Sequence, residues 1–194
     1  LLYNMSLPIR VECDKLVCDK QELILKKNRD KNNIFTLEFE VKNQHMVLRK
    51  LIDLKLYDLM FELNKDVLER VETLHQSEDG SINVLLVFKR FGSELGIAQK
   101  YMLLRTTREE EEQSGTIRIL SKSIPLSRTI DGCEVVTSNY ADLVVLYHTE
   151  HHAQIHYEFH MDMEDELPTY MENIVGMLMK KIFFRLKTFI EKMH

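Results

Sequence analysis

The chain has 194 residues, 44% of them hydrophobic and 29% charged, with a formal net charge of −5. A chain of this length forms one domain and buries roughly 70% of the surface its unfolded form exposes, so its core needs no disulfide or metal staple. The acidic balance argues against a nucleic-acid binder, which carries a basic surplus, and no apolar run reaches the roughly 20 residues of a membrane-spanning helix.

The opening Leu1-Leu2-Tyr3 lacks methionine, as expected of a piece of a longer protein. It also lacks the basic region and long apolar stretch of a secretory leader. Cys13, Cys18 and Cys133 are odd in number and show no CxxC spacing, which predicts free or buried thiols in a reducing, cytoplasmic compartment. Residues 1–33 read as an N-terminal extension or as the first elements of the domain, and 34–194 as the domain itself. Ile9 to Glu12 alternates like a short strand, whereas Glu22 to Lys27 suits a helical turn.

From Ile34 the pattern sharpens. Phe35, Leu37, Phe39 and Val41 alternate with polar residues, predicting a strand with one buried face. Residues 46–74 then show helical spacing through Leu48, Leu51, Ile52, Leu56, Leu59 and Leu63, with Asn64 a break before Val67, Leu68 and Val71. After the turn cluster Glu78-Asp79-Gly80-Ser81 the period returns to two. Strands are predicted over 82–91, 98–107, 116–124, 134–137, 143–148 and 153–163, and their short connections favour an antiparallel meander. The acidic run Glu109 to Glu112 reads as a solvated hairpin loop.

Parity names the inward positions. After the first strand come Val84, Leu86 and Phe88, opposite the polar Asn83 and Lys89, and then Met102 and Leu104. Ile117, Ile119 and Ser121 follow, then Val145 with Tyr147, and last Ile155, Tyr157, Phe159 and Met161. A helix is predicted over 168–193, with Pro168 suited to its first turn. At about 100° per residue, Met171, Val175, Leu178, Ile182, Leu186, Phe189 and Met193 line one stripe. In its first half Tyr170, Ile174 and Met177 add a second apolar face. One sheet needs one such stripe, so the second implies a further cover, either a lid loop or a bound apolar ligand.

The run Gln154-Ile155-His156-Tyr157-Glu158-Phe159-His160-Met161-Asp162, continued by Met163-Glu164-Asp165-Glu166-Leu167-Pro168-Thr169-Tyr170-Met171-Glu172-Asn173, resembles the last strand and helix start of StAR-related lipid-transfer (START) domains. There an apolar strand ends in aspartate and is followed by a short turn, Leu-Pro, an aromatic residue and asparagine. Ile119-Leu120-Ser121-Lys122-Ser123-Ile124 is similar to that family's middle strand. The chain departs from the family where Lys65-Asp66 stands for a Trp-Asp pair and Lys100-Tyr101 for Arg-Asp. No headgroup contact is therefore carried over.

The resemblance implies an α+β helix-grip fold, a curved antiparallel sheet wrapped around the long C-terminal helix, with a tunnel for one phospholipid, sterol or similar apolar ligand. The expected function is lipid binding or transfer without catalysis or cofactor, with transient contact at a membrane surface. The expected ligand-facing residues are the inward set from Val84 onward together with Tyr170, Met171, Ile174, Met177 and Leu178. Gly92 to Ile97 occupies the place of the family's covering loop, so Leu95 and Ile97 are expected to form a gate, helped at a membrane by Lys180, Lys181, Arg185, Lys187 and Lys192. The same residues also suit a tightly packed core, and the alternatives are a regulatory or scaffold domain of this fold, or a helix-grip enzyme. Arg105, Arg118, Glu134 and Tyr157 are the acid–base candidates for the last.

Five histidines cluster at 148, 151, 152, 156 and 160. His152, His156 and His160 share the outward parity. Neighbours in that series are about 13 Å apart along a strand, too far to share one ion, so no metal site is expected.

Overall fold

A computed structural model describes residues 14–31, 33–90, 98–111, 113–125, 129–136, 139–161 and 173–194, with the backbone alone at Met161. Its strands are β1 (Asp14–Lys20), β2 (Leu23–Asn28), β3 (Ile34–Lys42), β4 (Leu68–Gln76) and β5 (Ile82–Phe88), followed by β6 (Gln99–Glu111), β7 (Thr116–Ser123), β8 (Cys133–Val135), β9 (Asn139–Thr149) and β10 (His152–Met161). Two short helices, α1 (Leu48–Leu51) and α2 (Leu56–Leu63), join β3 to β4, and α3 (Ile174–Lys192) closes the chain.

All ten strands form one sheet in the order β1-β2-β3-β10-β9-β7-β6-β5-β4, with β8 pairing in parallel to the start of β6. Every other pairing is antiparallel. The last strand pairs with β3, so these two stand between β2 and β9 with β1 and β4 at the sheet's edges, and α3 crosses the concave face. This is a helix-grip architecture.

Two elements differ from the sequence expectation. Glu22 to Lys27, expected as a helical turn, belongs to a β1–β2 hairpin that extends the sheet beyond β3. The two-residue turn puts Gln21 and Glu22 at φ of 60° and 59°. That geometry matches the twist of a hairpin but is ordinarily given to Asn-Gly, so no sequence signal announced it. The helical reading of 46–74 holds only to Leu63. Asn64, fully buried, ends α2 by donating to the Met60 carbonyl at 2.8 Å. Val67, Leu68 and Val71 fit either period, and pairing of β4 along β5 decides for a strand.

The main core lies between the concave face and the helices. A smaller second one covers part of the other face, where Leu85, Val87, Tyr101 and Leu103 pack with Ile124, Ile130 and Cys133. The middle of β5 is thus apolar on both sides, which the alternation with Asn83 and Lys89 did not convey.

Helix α3 sits closest to β2 and β3. A Cβ on Gly176 would lie 2.7 Å from the Phe35 ring, so glycine permits this approach. The predicted stripe is correct at Val175, Ile182 and Leu186, but Met179, Phe183 and Ile190 are buried in place of Leu178 and Phe189. Contact with the hairpin rotates the seam by about one position. The far end of the helix is held by Asn43, whose side-chain amide donates to the carbonyls of Ile190 (2.6 Å) and Met193 (2.9 Å).

Candidate functional site

The concave face gathers the inward residues expected from parity. Val84, Leu86, Phe88, Met102, Leu104, Ile117, Ile119, Val145, Tyr157 and Phe159 are buried in one cluster with Val175, Met179, Ile182, Phe183, Leu186 and Ile190 of α3. Aromatic rings cross its middle. Phe35 stacks on Phe159 at 5.6 Å, and Tyr157 lies 5.1 Å from Phe159 and 4.5 Å from Phe183. Ile174 and Leu178 pack at the margin of this cluster. Met177 is 44% exposed and does not belong to the interior, because the rotated seam turns its side of α3 to solvent. Tyr170, Met171, Leu95, Ile97 and the Met161 side chain lie outside the described residues.

Two polar groups stand on the concave side. Tyr57 of α2 reaches into the sheet, its hydroxyl 2.8 Å from Ser121 Oγ and 3.2 Å from Thr106 Oγ1, and those two lie 3.0 Å apart. Thr106 and Ser121 are buried, and burial pushes the Tyr57 phenol up from its ordinary pKa. Toward α1 the face becomes ionic. Glu110 takes Arg49 and Arg108, each at 2.7 Å, and the Arg49 guanidinium lies over the Tyr147 ring at 5.2 Å. Glu109, Glu110 and Glu111 are exposed, as expected of a solvated run, but they extend β6 rather than form a loop, and Glu110 is held by two arginines. Of the hydroxyl triad, parity had singled out Ser121 alone. Thr106 shares parity with Met102 and Leu104 and was legible there, whereas Tyr57 required knowing where α2 crosses the sheet.

Tyr157 differs from Tyr57. It is 9% exposed, and no hydrogen bond contributes to its titration, which desolvation drives strongly upward. The other acid–base candidates are not near it. Arg105 pairs with Asp79 at 2.7 Å, Arg118 grips Asp142 with two nitrogens at 2.8 and 2.6 Å, and Glu134 meets Lys100 at 2.8 Å. Arg105 and Arg118 alternate out of phase with the inward residues and stand on the opposite face, and Glu134 lies on β8. The four do not form a site.

The histidines on β10 also face outward, His152 3.2 Å from Glu40 and His156 3.6 Å from Glu38. Among the described residues no three histidine, cysteine, aspartate or glutamate side chains come together as metal ligands.

The cations of α3 are already engaged. Lys180 and Lys187 are buried, Lys180 donating to the Lys20 carbonyl at 2.8 Å and Lys187 meeting Glu22 at 3.0 Å and Glu191 at 2.6 Å. Asp66 takes both Lys181 and Arg185, which hold its carboxyl well below the usual range. Four of the five cations expected at a membrane thus make contacts within the chain, Lys180 and Lys187 buried at the hairpin and Lys181 and Arg185 paired with Asp66 at the surface.

Comparison with solved structures places this architecture. Over 91% of the chain and 72% of the other, human STARD10 superposes with a TM-score of 0.72 at 10% identity. The fold is that of the START domains. The STAR-related lipid transfer protein fragment of Xanthomonas axonopodis gives a TM-score of 0.70 at 12% identity, covering 93% of this chain and all of that one. Human StAR-related lipid transfer protein 5 gives 0.70 at 13% identity, over 93% and 86%. No family model and no curated sequence matches the chain. The START fold is therefore recognised in three dimensions, where backbone geometry persists after identity has fallen to this level. No described helix is long and apolar enough to cross a membrane.

Proposed function

We propose that this chain is a lipid-binding domain that encloses one apolar molecule between the concave sheet face and α3, and transfers or presents it without chemistry. The observation that carries the reading is the concave face itself, where strands β2 to β10 other than β8, and α3, give one continuous apolar lining gripped around a single helix. Space enclosed in such a grip would be apolar, and apolar space of that kind stays dry or takes an apolar guest. The names of the solved START structures, which describe lipid transfer, point the same way.

Burial of an acyl chain contributes about 0.8 kcal/mol per methylene, enough to draw a lipid from a bilayer during brief contact with its surface. The free thiols Cys18 and Cys133 favour the cytoplasm. Native mass spectrometry of the purified chain, followed by organic extraction, tests the proposal. One apolar molecule per chain is expected. A protein that is empty and takes up neither fluorescent sterol nor fluorescent phospholipid would instead be a scaffold with a packed interior.

A further inference from the structure

The ionic end of the concave face is not balanced. Arg108 and Glu110 share the parity of Leu104 and Thr106 on β6, Tyr147 shares that of Val145 on β9, and Arg49 belongs to α1. Both Glu110 oxygens are used, Oε1 by Nη1 of Arg49 and Oε2 by Nη2 of Arg108, each at 2.7 Å. Two guanidinium groups against one carboxylate leave a surplus of one positive charge in this cluster of described residues.

The cluster also holds unused donors. Among the described residues three buried side-chain polar atoms have no partner, and two of them, Arg108 Nε and Tyr147 Oη, stand here. Each carries a proton to donate, and a buried donor without an acceptor costs free energy. Burial raises the Tyr147 pKa, which keeps the phenol protonated near neutrality, and the charges of Arg49, Arg108 and Glu110 all reach it. The Arg49 guanidinium lies over its ring at 5.2 Å.

We propose that Arg108 and Tyr147 bind the oxyanion end of an apolar molecule carrying one negative charge, of which a long-chain carboxylate is the simplest. The place of its chain along the apolar lining rests on the lipid-binding reading; the anion site does not. An oxyanion offers separate oxygens, so the two donors need not meet at one atom. Arg108 keeps Glu110 on Nη2 while Nε–H donates to the ligand, a charge-assisted bond that a planar guanidinium is shaped to make. One negative charge cancels the surplus, whereas an alcohol leaves it standing. Free inorganic phosphate offers the same chemistry without a chain.

Binding of hexadecanoate, hexadecan-1-ol and inorganic phosphate to the whole chain tests this at about pH 7.5, where the carboxylate is ionised. Hexadecanoate should bind about tenfold or more tighter than the alcohol. Arg108→Gln should bring that ratio to about one, and Tyr147→Phe should lower it about fivefold. Glu110→Gln raises the surplus from one charge to two and should increase the ratio about threefold, which a merely structural role for these residues would not do.

Equal binding of hexadecanoate and hexadecan-1-ol, with no binding of phosphate, overturns the proposal and leaves lipid binding standing. A full ratio in folded Arg108→Gln overturns it as well. Should that variant misfold, the wild-type ratio and Glu110→Gln decide. Phosphate binding that Arg108→Gln abolishes, without uptake of either long-chain probe, keeps the anion site, assigns it to a free anion and removes the lipid-binding reading. Failure to bind any probe removes both.

Discussion

The hydroxyl triangle and the Arg49–Glu110–Arg108 ion pairs lie on the same concave side, yet they are placed oppositely. Thr106 and Ser121 are 0% and 2% exposed, whereas the Arg49, Arg108 and Glu110 side chains keep 36%, 27% and 27%. Desolvation is the reason. A neutral hydroxyl enters an apolar interior at small cost once hydrogen-bonded, while an ion loses far more hydration than a partner returns. The face therefore grades from neutral and deep beneath α2 to ionic and wetted at α1.

Placing charge in the deep patch should break this contrast most severely. Ser121→Asp would desolvate a carboxylate beside Tyr57 and Thr106, raising its folded-state pKa above the unfolded value of about 4. A raised pKa favours the fold below that value and disfavours it as pH rises. The variant should be close to wild type near pH 4 and about 3 kcal/mol less stable by neutral pH, as read from denaturant midpoints across that range. A flat pH profile would mean that water reaches the triangle.

Tyr57→Phe tests the same patch more gently. It removes one hydroxyl and leaves the Thr106–Ser121 bond at 3.0 Å intact, so a loss of about 1 kcal/mol in urea unfolding is expected. At the ionic end Glu110→Gln should do least. Its partners are partly exposed, so the change should stay below about 1 kcal/mol and shrink in high salt. A Glu110→Gln effect larger than that of Tyr57→Phe would reverse the ranking and place the ion pairs in the protected interior.

Much of this arrangement was legible in the residues. Period two marked most of the strands, and parity marked Val84, Met102, Ile119 and Phe159 as inward because a one-residue slip would turn each of them to solvent. The β1–β2 hairpin was not legible. Gln21 and Glu22 adopt a turn that neither residue favours, and the polar strand Asp14–Lys20 has little alternation to read. Missing the hairpin had a consequence for α3. With β2 unknown, its apolar stripe appeared one position away from the observed seam, Met177 appeared internal, and Lys180 and Lys187 appeared free for a membrane.

The sequence by itself determined the period of the strands, the closing helix and the apolar character of one sheet face, since these depend on neighbours two to four residues apart. Only the tertiary structure decided which side of α3 meets the sheet, because that turns on Gly176 against Phe35, 141 positions away in the chain. It also brought Tyr57, Thr106, Ser121 and Tyr157 into one interior. Four hydroxyls from four elements carry no common signal along the chain, and their meeting follows from the curvature that folds the sheet over its last helix.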